Sequence, residues 1–437
     1  MRRTSVVANG GARVRSSSWG RLLAALAVPA VSVGALALGC GLDAVGERGA
    51  HGDSDPFGED GGANLPGKGG SHVDAPSTDD GGNPGDGSPG VDAEGQRPDA
   101  GVPFSPSNIG PTSYRLDGPD LSVAFVAKVV VDTTNLTVDG VTSPNLVADG
   151  DIAVWSLHTV DISGTLQVKG KRALAIVASN AVTMSGSIAA YAEGATPGPG
   201  GAVPSSGTGK GADGLASGDS GSGGGGAGHA TTGAAGSTRL MSAGGTGGAS
   251  ANAANALVGG AGGGNGGGFD KNQCKGQGSG GAGGGAIQIS AMGAITFGFP
   301  ASIDVHGGGA LGGCSKSKGG GGGGAGGTIV LESVGSITLP SSTSLGATGG
   351  GGGAGGGDLL DGYDGDDGKL GPSAVAFGGL GSQTGGGNGG NVGNPPTIGV
   401  SGGGGGGGGA MGRIVLRARG NVSNAGNIAG ELTTSTF

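Results

Sequence analysis

Unbroken runs of glycine are the feature that most restricts how this chain can fold. Eight consecutive glycines occupy positions 402–409, six occupy positions 319–324, and glycine accounts for 116 of the 437 residues. Glycine loses more backbone entropy on folding than any other residue, so long stable helices are excluded, and with them ordinary helical and α/β enzymes. Because the glycines come in runs and not at every third position, a collagen triple helix is excluded as well.

The first 39 residues predict an export signal. They contain five arginines and no acidic residue, and an apolar run begins at Leu22. A basic head followed by a short apolar stretch is typical of a secretory signal peptide. The run ends in Ala37-Leu38-Gly39-Cys40, which resembles the lipobox of bacterial lipoproteins. This resemblance implies cleavage after Gly39, attachment of lipid to the thiol of Cys40, and anchoring in the outer membrane or at the cell surface.

Residues 40–105 predict a disordered acidic tether. Positions 41–105 hold 13 acidic and 3 basic residues among glycine, proline and serine. Such a segment cannot bury enough apolar surface to offset its ordering entropy, and its charge and proline keep it extended. Removal of residues 1–39 leaves 18 basic against 32 acidic residues, a net charge of −14. Nucleic acid is therefore excluded as a partner, since phosphate binding requires a basic surface.

Residues 106–437 repeat a pattern of paired apolar residues, each pair separated by one residue, as in a strand with one buried face. In one copy Leu174/Ile176 is followed eight residues later by Val182/Met184, and six residues later by Ile188/Ala190. The other copies begin at Ile152, Ile287, Ile329 and Ile414, with a weaker one near Val130.

The first two strong copies start 22 residues apart with nothing inserted. Three short strands per turn of this length predict an all-β fold, a right-handed parallel β-helix of about six coils whose rungs stack about 4.8 Å apart. A β-sandwich is the alternative. It explains the alternation of apolar residues but not the constant eight-residue step.

Three glycine-rich insertions separate the later copies, at about 191–285, 306–327 and 348–412. Each leaves after a third strand and returns before a first strand, so all are predicted at one corner, where solenoids place variable or binding surfaces. Two interpretations of the glycine runs stay open. They are flexible loops, which the Ser- and Ala-containing parts of 191–260 favour, or extended chains packed side by side in left-handed helices of three residues per turn.

The two remaining cysteines predict a disulfide. Cys274 lies 13 residues before the strand that begins at Ile287, and Cys314 lies 15 residues before the one that begins at Ile329. These are nearly equivalent places in adjacent coils, within the Cα separation that a disulfide tolerates, and export brings the chain into an oxidising compartment. A metal site formed by two cysteines is the alternative, but it lacks paired spacing and a neighbouring histidine.

One acidic cluster lies within the predicted folded part. Asp361, Asp364, Asp366 and Asp367 are interspersed with glycine, a composition similar to a calcium-binding loop. The spacing departs from the EF-hand pattern, because glycines stand where ligands are required. The sequence therefore leaves two alternatives, calcium as the one cofactor or a hydrated loop tip.

No set of residues with catalytic spacing occurs in the sequence. The histidines lack ligand spacing and a neighbouring nucleophile, and His158 and His306 are predicted at the solvated surface. Asp161 and Asp304 are predicted to point outward from different strands of the coil. They therefore cannot form the acid–base pair that glycoside hydrolysis requires.

As a whole, residues 106–437 resemble the glycine-rich, β-helical (pectin-lyase-like) surface proteins of bacteria, with glycine runs similar to mycobacterial PGRS repeats. The resemblance carries no catalytic motif. It implies a lipid-anchored structural or adhesion protein that displays a glycine-rich face to a carbohydrate or to another cell-surface protein. The alternative is a polysaccharide lyase or hydrolase of the parallel β-helix type. That enzyme needs acids and bases at one strand position of successive coils, and the sequence pattern does not reveal them.

Overall fold

The structure is a computed structural model that describes residues 104–436, apart from 219, 252–255, 269–277, 316, 382–384 and 401–402. The all-β prediction is confirmed for this part of the chain, which contains strands and no helix. Accordingly, none of its segments is a helix long and apolar enough to cross a membrane. The predicted signal segment, almost all of the tether, and Cys40 lie outside the described residues.

Short strands occur along the whole described part. The first eleven are β1 (Leu121–Val123), β2 (Lys128–Asp132), β3 (Thr137–Val138), β4 (Val141–Thr142), β5 (Leu146–Asp149), β6 (Ile152–Leu157), β7 (Val160–Ile162), β8 (Thr165–Lys169), β9 (Ala173–Ala178), β10 (Val182–Met184) and β11 (Ser187–Ala189). The others are β12 (Ala216–Ser217), β13 (Ser220–Gly221), β14 (Ala286–Ala291), β15 (Ile295–Phe297), β16 (Ala301–Asp304), β17 (Thr328–Ser333), β18 (Ile337–Leu339), β19 (Thr343–Gly346), β20 (Arg413–Ala418), β21 (Val422–Asn424), β22 (Asn427–Ala429) and β23 (Glu431–Ser435).

Three large sheets contain all of these strands except the β12–β13 hairpin. Sheet 1 has the order β5-β6-β9-β14-β17-β20-β23, sheet 2 the order β1-β7-β10-β15-β18-β21, and sheet 3 the order β4-β3-β2-β8-β11-β16-β19-β22. From β6 onward, successive strands of the large sheets enter sheet 1, sheet 2 and sheet 3 in turn. Neighbours among them pair in parallel. The three glycine-rich segments all leave sheet 3 and return to sheet 1.

Apolar ladders form the core that the three sheets share. The first apolar residues of four predicted copies, Leu174, Ile287, Ile329 and Ile414, are partners in consecutive strands of sheet 1, and all are fully buried. Burial of each such side chain contributes roughly 1.5–3 kcal/mol. The predicted apolar pairing is therefore confirmed across the glycine-rich insertions.

The first copy differs from its prediction by one residue. Trp155, and not Val154, is the partner of Ile176 and belongs to the shared core. Val154 lies on the other face of the sheet, in a second cluster with Phe104 and Ile109. Both faces of β6 are buried, so the alternation of apolar residues could not identify the inward face.

The weaker copy predicted to begin near Val130 is wrong. Val130 lies in β2, which belongs to sheet 3 and pairs with β8. The place in sheet 1 that a first strand would take at this end is occupied by β5, which runs antiparallel to β6. An antiparallel strand breaks the repeat, and the spacing of Val130 and Val138 therefore has no structural counterpart.

The described residues of the three insertions pack together, and we call them the glycine slab. Segment 319–327 shows the arrangement. Its N–H groups at positions 319, 322 and 325 donate to segment 261–267, those at 320, 323 and 326 to segment 404–410, and those at 321, 324 and 327 to segment 305–311. A return to the same neighbour at every third residue is the period of a polyproline II helix. The packed-chain interpretation is therefore confirmed.

The same packing extends into 191–260, where flexible loops were predicted. Gly224 and Ala227 donate their N–H groups to the carbonyls of Gly320 and Gly323. A Cβ built on Gly322 would overlap the carbonyl oxygen of Gly225. Side chains are thus excluded by the approach of neighbouring backbones, which explains why the runs consist of glycine. The flexible-loop prediction is wrong for these segments.

Candidate binding groove

The cysteine predictions are tested only in part. Cys314 is disulfide-bonded and buried within the glycine slab. Cys40 and Cys274 lie outside the described residues, so lipidation of Cys40 and the pairing of Cys274 with Cys314 stay predictions.

The acidic cluster runs along one edge of the glycine slab. Asp361, Asp364 and Asp367 stand three residues apart, and each is followed by glycine. Their Oδ1 atoms accept hydrogen bonds from the backbone N–H groups of Ser315 (2.6 Å), Gly312 (2.8 Å) and Gly309 (2.7 Å), respectively. The carboxylates therefore bind N–H groups that a further glycine chain would otherwise bind through its carbonyls.

The carboxylates of this edge have separate partners and do not converge on a common site. The fourth predicted ligand, Asp366, forms an ion pair with Lys369, with 2.6 Å between Oδ2 and Nζ. Among the described residues, no three His, Cys, Asp or Glu side chains converge as a metal site requires. Calcium at Asp361, Asp364, Asp366 and Asp367 stays a prediction.

The surface prediction holds for His158 and is wrong for His306. His158 is exposed, whereas His306 is 8% exposed because it lies at the junction of sheet 3 with the glycine slab. Its ring stacks on Tyr191 with centroids 4.5 Å apart, and its Nδ1 is 2.8 Å from Oδ1 of Asp304. Asp161 and Asp304 lie on sheets 2 and 3, which agrees with their predicted separation on different strands.

A third histidine, His229, is enclosed by the glycine slab. It is 1% exposed, and its Nε2 is 2.9 Å from Oγ1 of Thr328. Burial, with a smaller contribution from the positive charge of Arg413, lowers the pKa of His229 to about 4. The imidazole is therefore neutral at physiological pH and acts as a structural hydrogen-bonding group.

The structure reveals an acid–base column that the sequence analysis missed. Ser290, Glu332 and Arg417 are partners in consecutive strands of sheet 1. Oε1 of Glu332 is 2.9 Å from Nη1 of Arg417, and Oε2 accepts the N–H of Ser107 at 2.9 Å. The N-terminal segment that contains Ser107 covers the column, and Glu332 is only 2% exposed. The column thus fixes that segment and presents no open surface to a polymer.

A sequence signal for this column did exist. Each member stands three residues after the first apolar residue of its copy, at Ile287, Ile329 and Ile414. Alignment of the copies on those residues would have placed the three polar side chains side by side.

An open groove of about 490 Å³ lies where the chain passes from sheet 2 to sheet 3. We call it the corner groove. Its floor is a column of polar residues that are partners in five consecutive strands of sheet 3, namely Lys128, Thr165, Ser187, Ser302 and Ser344. The four hydroxyl residues are half-buried. Ser187 and Thr165 are also joined through their hydroxyl oxygens, which are 3.1 Å apart.

One end of the corner groove is bounded by a strained turn. Ala127 donates its N–H to the carbonyl of Ala124 at 2.9 Å, and Val126 at the tip has φ +66°. A β-branched residue is disfavoured at positive φ, and backbone strain of this kind often marks a functional position. The turn exposes Phe125 by 73% and Val126 by 91% beside the polar floor.

Glycines at the corner give the groove its depth. Gly164 and Gly186 both line it. A Cβ on Gly164 would overlap the carbonyl oxygens of Ala124 and Ala127. The close approach of the Ala124–Ala127 turn therefore requires glycine here, and the absence of a side chain leaves the neighbouring hydroxyls accessible from the side.

No family model, curated protein or solved structure matches this chain. A functional assignment therefore depends on the chemistry of the corner groove itself. Among the described residues that line it, Lys128 alone has an ionisable side chain.

Proposed function

We propose that this chain is a lipid-anchored cell-surface adhesion protein that binds a polysaccharide in the corner groove. In this proposal Cys40 carries the lipid, residues 40–105 form the tether, and the remainder folds as a right-handed parallel β-helix. The regular passage of the chain through sheets 1, 2 and 3, with parallel pairing between successive passages, supports the β-helix. The acidic tether supports display away from a membrane surface.

The observation that carries the proposal is the in-register column of hydroxyls beside exposed apolar side chains. Hydroxyl groups both donate and accept hydrogen bonds, so they complement the hydroxyls of a sugar. Apolar and aromatic side chains such as Phe125 complement its C–H surfaces, and binding sites commonly combine apolar surface with a few placed polar groups. The corner groove offers both along one line.

The lining supports binding over cleavage. Hydrolysis of a glycosidic bond generally needs two carboxyl groups, one on either side of the bond. None of the described residues that line the corner groove carries a carboxyl group. The Glu332 side chain that could have served a lyase or hydrolase lies beneath the N-terminal segment, and its carboxylate is paired with Arg417.

The binding surface in this proposal is the corner groove and not the glycine-rich face that the sequence suggested. Most backbone N–H and C=O groups in the centre of the glycine slab are paired with each other, as in segment 319–327. They are therefore not available to a ligand. The slab supplies rigidity, while the corner groove lies at a different corner of the coil. Among the described residues that line the groove, Leu370 alone belongs to the slab.

A matched pair of threonines tests the groove. Thr165 lines it, whereas Thr183 points outward from sheet 2 and does not. We expect Thr165→Val to weaken binding of a responsive polysaccharide by about 3–10-fold, the effect of one lost hydrogen bond, and Thr183→Val to leave it unchanged. The measurement is calorimetric titration across a panel of neutral and acidic polysaccharides. Failure of every glycan to bind, or an equal loss in both variants, would reject the groove as the site.

Anchoring is tested separately. We expect Cys40→Ser to move the protein from the membrane fraction to the soluble fraction without changing its binding to glycans. Retention of the variant in the membrane fraction would contradict lipid anchoring at this residue.

A further inference from the structure

We infer that the corner groove selects an extended, uncharged, β-linked polysaccharide that lies along the stack of strands with one sugar unit for each strand. This inference rests on the proposed function and specifies its ligand. It follows from the spacing, the charge and the rigidity of the groove.

The spacing is set by backbone pairing. Lys128, Thr165, Ser187, Ser302 and Ser344 occupy equivalent positions in adjacent strands, and adjacent strands lie about 4.8 Å apart, so the column spans roughly 19 Å. That step is close to the advance per unit of a fully extended β-linked pyranose chain. A chain of this type meets an equivalent hydroxyl at each unit. A coiled α-linked chain advances less per unit and curves, so it loses register within a few units.

The charge of the groove favours an uncharged polymer. Its middle is lined by hydroxyl residues, glycines, Pro300 and Ala301, and the one ionisable side chain among the described lining residues, Lys128, lies at one end. A uronic acid at every unit would place most of its carboxylates opposite hydroxyls, with no cation to compensate for their desolvation. One terminal acidic unit could meet Lys128, but a repeating acid could not.

Apolar groups flank the groove near both ends of the column, although the next partner of Ser344 in sheet 3, Asn427, does not line the groove. Phe125 stands beside Lys128, and Leu370 lies beside Ser344, where its side chain packs over Gly346 of the same strand. These groups can cover the faces of the first and last sugar rings. The length of the bound segment is therefore expected to be about five units, one for each strand of the column.

The floor is rigid before any ligand binds. The residues that flank the column in sequence, such as Leu166, Ile188, Ile303 and Leu345, are fully buried in the shared core. A rigid array binds tightly a ligand whose repeat matches the strand spacing. A ligand that must distort to fit binds more weakly, because the distortion costs free energy.

The test uses the full-length protein and two series of purified oligosaccharides, β-1,4-linked and α-1,4-linked glucose oligomers of two to eight units, titrated by calorimetry. We expect the affinity for the β-linked series to rise with length and to level off at about five units. We expect the α-linked series to bind at least about tenfold more weakly. Equal affinity for the two linkages, or a rise that continues to eight units, would overturn the inference and leave glycan binding intact. Absence of binding by both series and by the wider panel would reject the proposed function itself.

A blocking variant gives an independent readout. Ser302→Leu places an apolar branch on the fourth strand of the column, and Thr296→Leu places the same branch on the outward face of sheet 2 as its control. We expect Ser302→Leu to shorten the length at which affinity levels off to about three units, because only Lys128, Thr165 and Ser187 remain contiguous. An unchanged length in a folded Ser302→Leu protein would overturn the one-unit-per-strand arrangement.

Discussion

Oδ1 of Asp364 accepts the backbone N–H of Gly312 at 2.8 Å, and this contact shows how the glycine slab ends. Inside the slab each chain donates its N–H groups to the carbonyls of its neighbours. At this edge, side-chain carboxylates spaced three residues apart accept the backbone N–H groups in place of the carbonyls of a further chain. The glycine after each of them donates its own N–H to a carbonyl of the same neighbouring chain, as Gly365 does to Ala310. The tripeptide Asp-Gly-Xaa is therefore an edge unit for packed three-residue helices.

Loss of the Asp364 carboxylate is expected to destabilise the slab. Asp364→Ala leaves the buried N–H of Gly312 unpaired, which should lower the free energy of unfolding by about 1–3 kcal/mol. Asp364→Asn retains an acceptor and should cost less. Asp366→Ala removes only a partly exposed ion pair with Lys369 and serves as the control. Urea denaturation measures all three, and equal stability of Asp364→Ala and Asp366→Ala would contradict the edge assignment.

Addition of a single methyl group inside the slab is expected to be far more damaging than at its margin. A Cβ on Gly322 overlaps the carbonyl oxygen of Gly225, whereas a Cβ on Gly357 meets only the carbonyl oxygen of Leu360, at 3.7 Å. Gly322→Ala should therefore lower the free energy of unfolding by about 3 kcal/mol, because backbone segments must separate. Gly357→Ala should be close to neutral. Thermal denaturation compares the two, and similar melting temperatures would argue against close packing of the chains.

The contact between Glu332 and Ser107 is expected to hold the N-terminal segment on sheet 1. Glu332→Ala removes the carboxylate that pairs with Nη1 of the partly exposed Arg417. It also removes the acceptor for the Ser107 N–H. We expect faster proteolytic cleavage within residues 104–118. The control is Asp117→Ala, which removes an exposed partner of Arg115. Unchanged cleavage in Glu332→Ala would show that the hydrogen bonds of Gln288 to this segment and the apolar contacts of Phe104 and Ile109 suffice.

Acid is expected to destabilise the protein through His229. The pKa of His229 is about 4 in the folded state, below the ordinary value of about 6.5 in an unfolded chain. The unfolded state therefore binds the extra proton first. The stabilising contribution of the neutral imidazole is fully present above about pH 6.5 and declines as the pH falls to about 4, by of the order of 3 kcal/mol in total.

Urea denaturation at several pH values between 4 and 7 measures this effect. The difference in stability across that range should become smaller in His229→Gln, while His158→Gln, a change at an exposed histidine, should leave it as in the wild type. An identical pH dependence in His229→Gln and the wild type would assign the effect to other groups.

The sequence by itself determined those features that depend on local spacing. The apolar pairs at Leu174, Ile287, Ile329 and Ile414 predicted strands with one buried face, because each pair lies within a single strand. The glycine runs predicted close backbone packing as one of two alternatives. The three-residue spacing of Asp361, Asp364 and Asp367 was also present in the sequence. The sequence left two interpretations of it, a calcium loop or a hydrated loop tip, because the hydrogen-bonding partners lie in another segment.

Tertiary structure alone decided the relationships that cross the insertions. Ser187 and Ser302 are separated by the longest glycine-rich insertion, yet they are adjacent in the column of the corner groove. Ser290, Glu332 and Arg417 meet for the same reason. Which face of β6 points inward depended on the segment around Phe104 and Ile109 that covers its outer side. The physical cause is common to all three. Pairing of parallel strands fixes register between residues far apart in sequence, and the length of an insertion carries no information about that register once its glycines pack into a slab of their own.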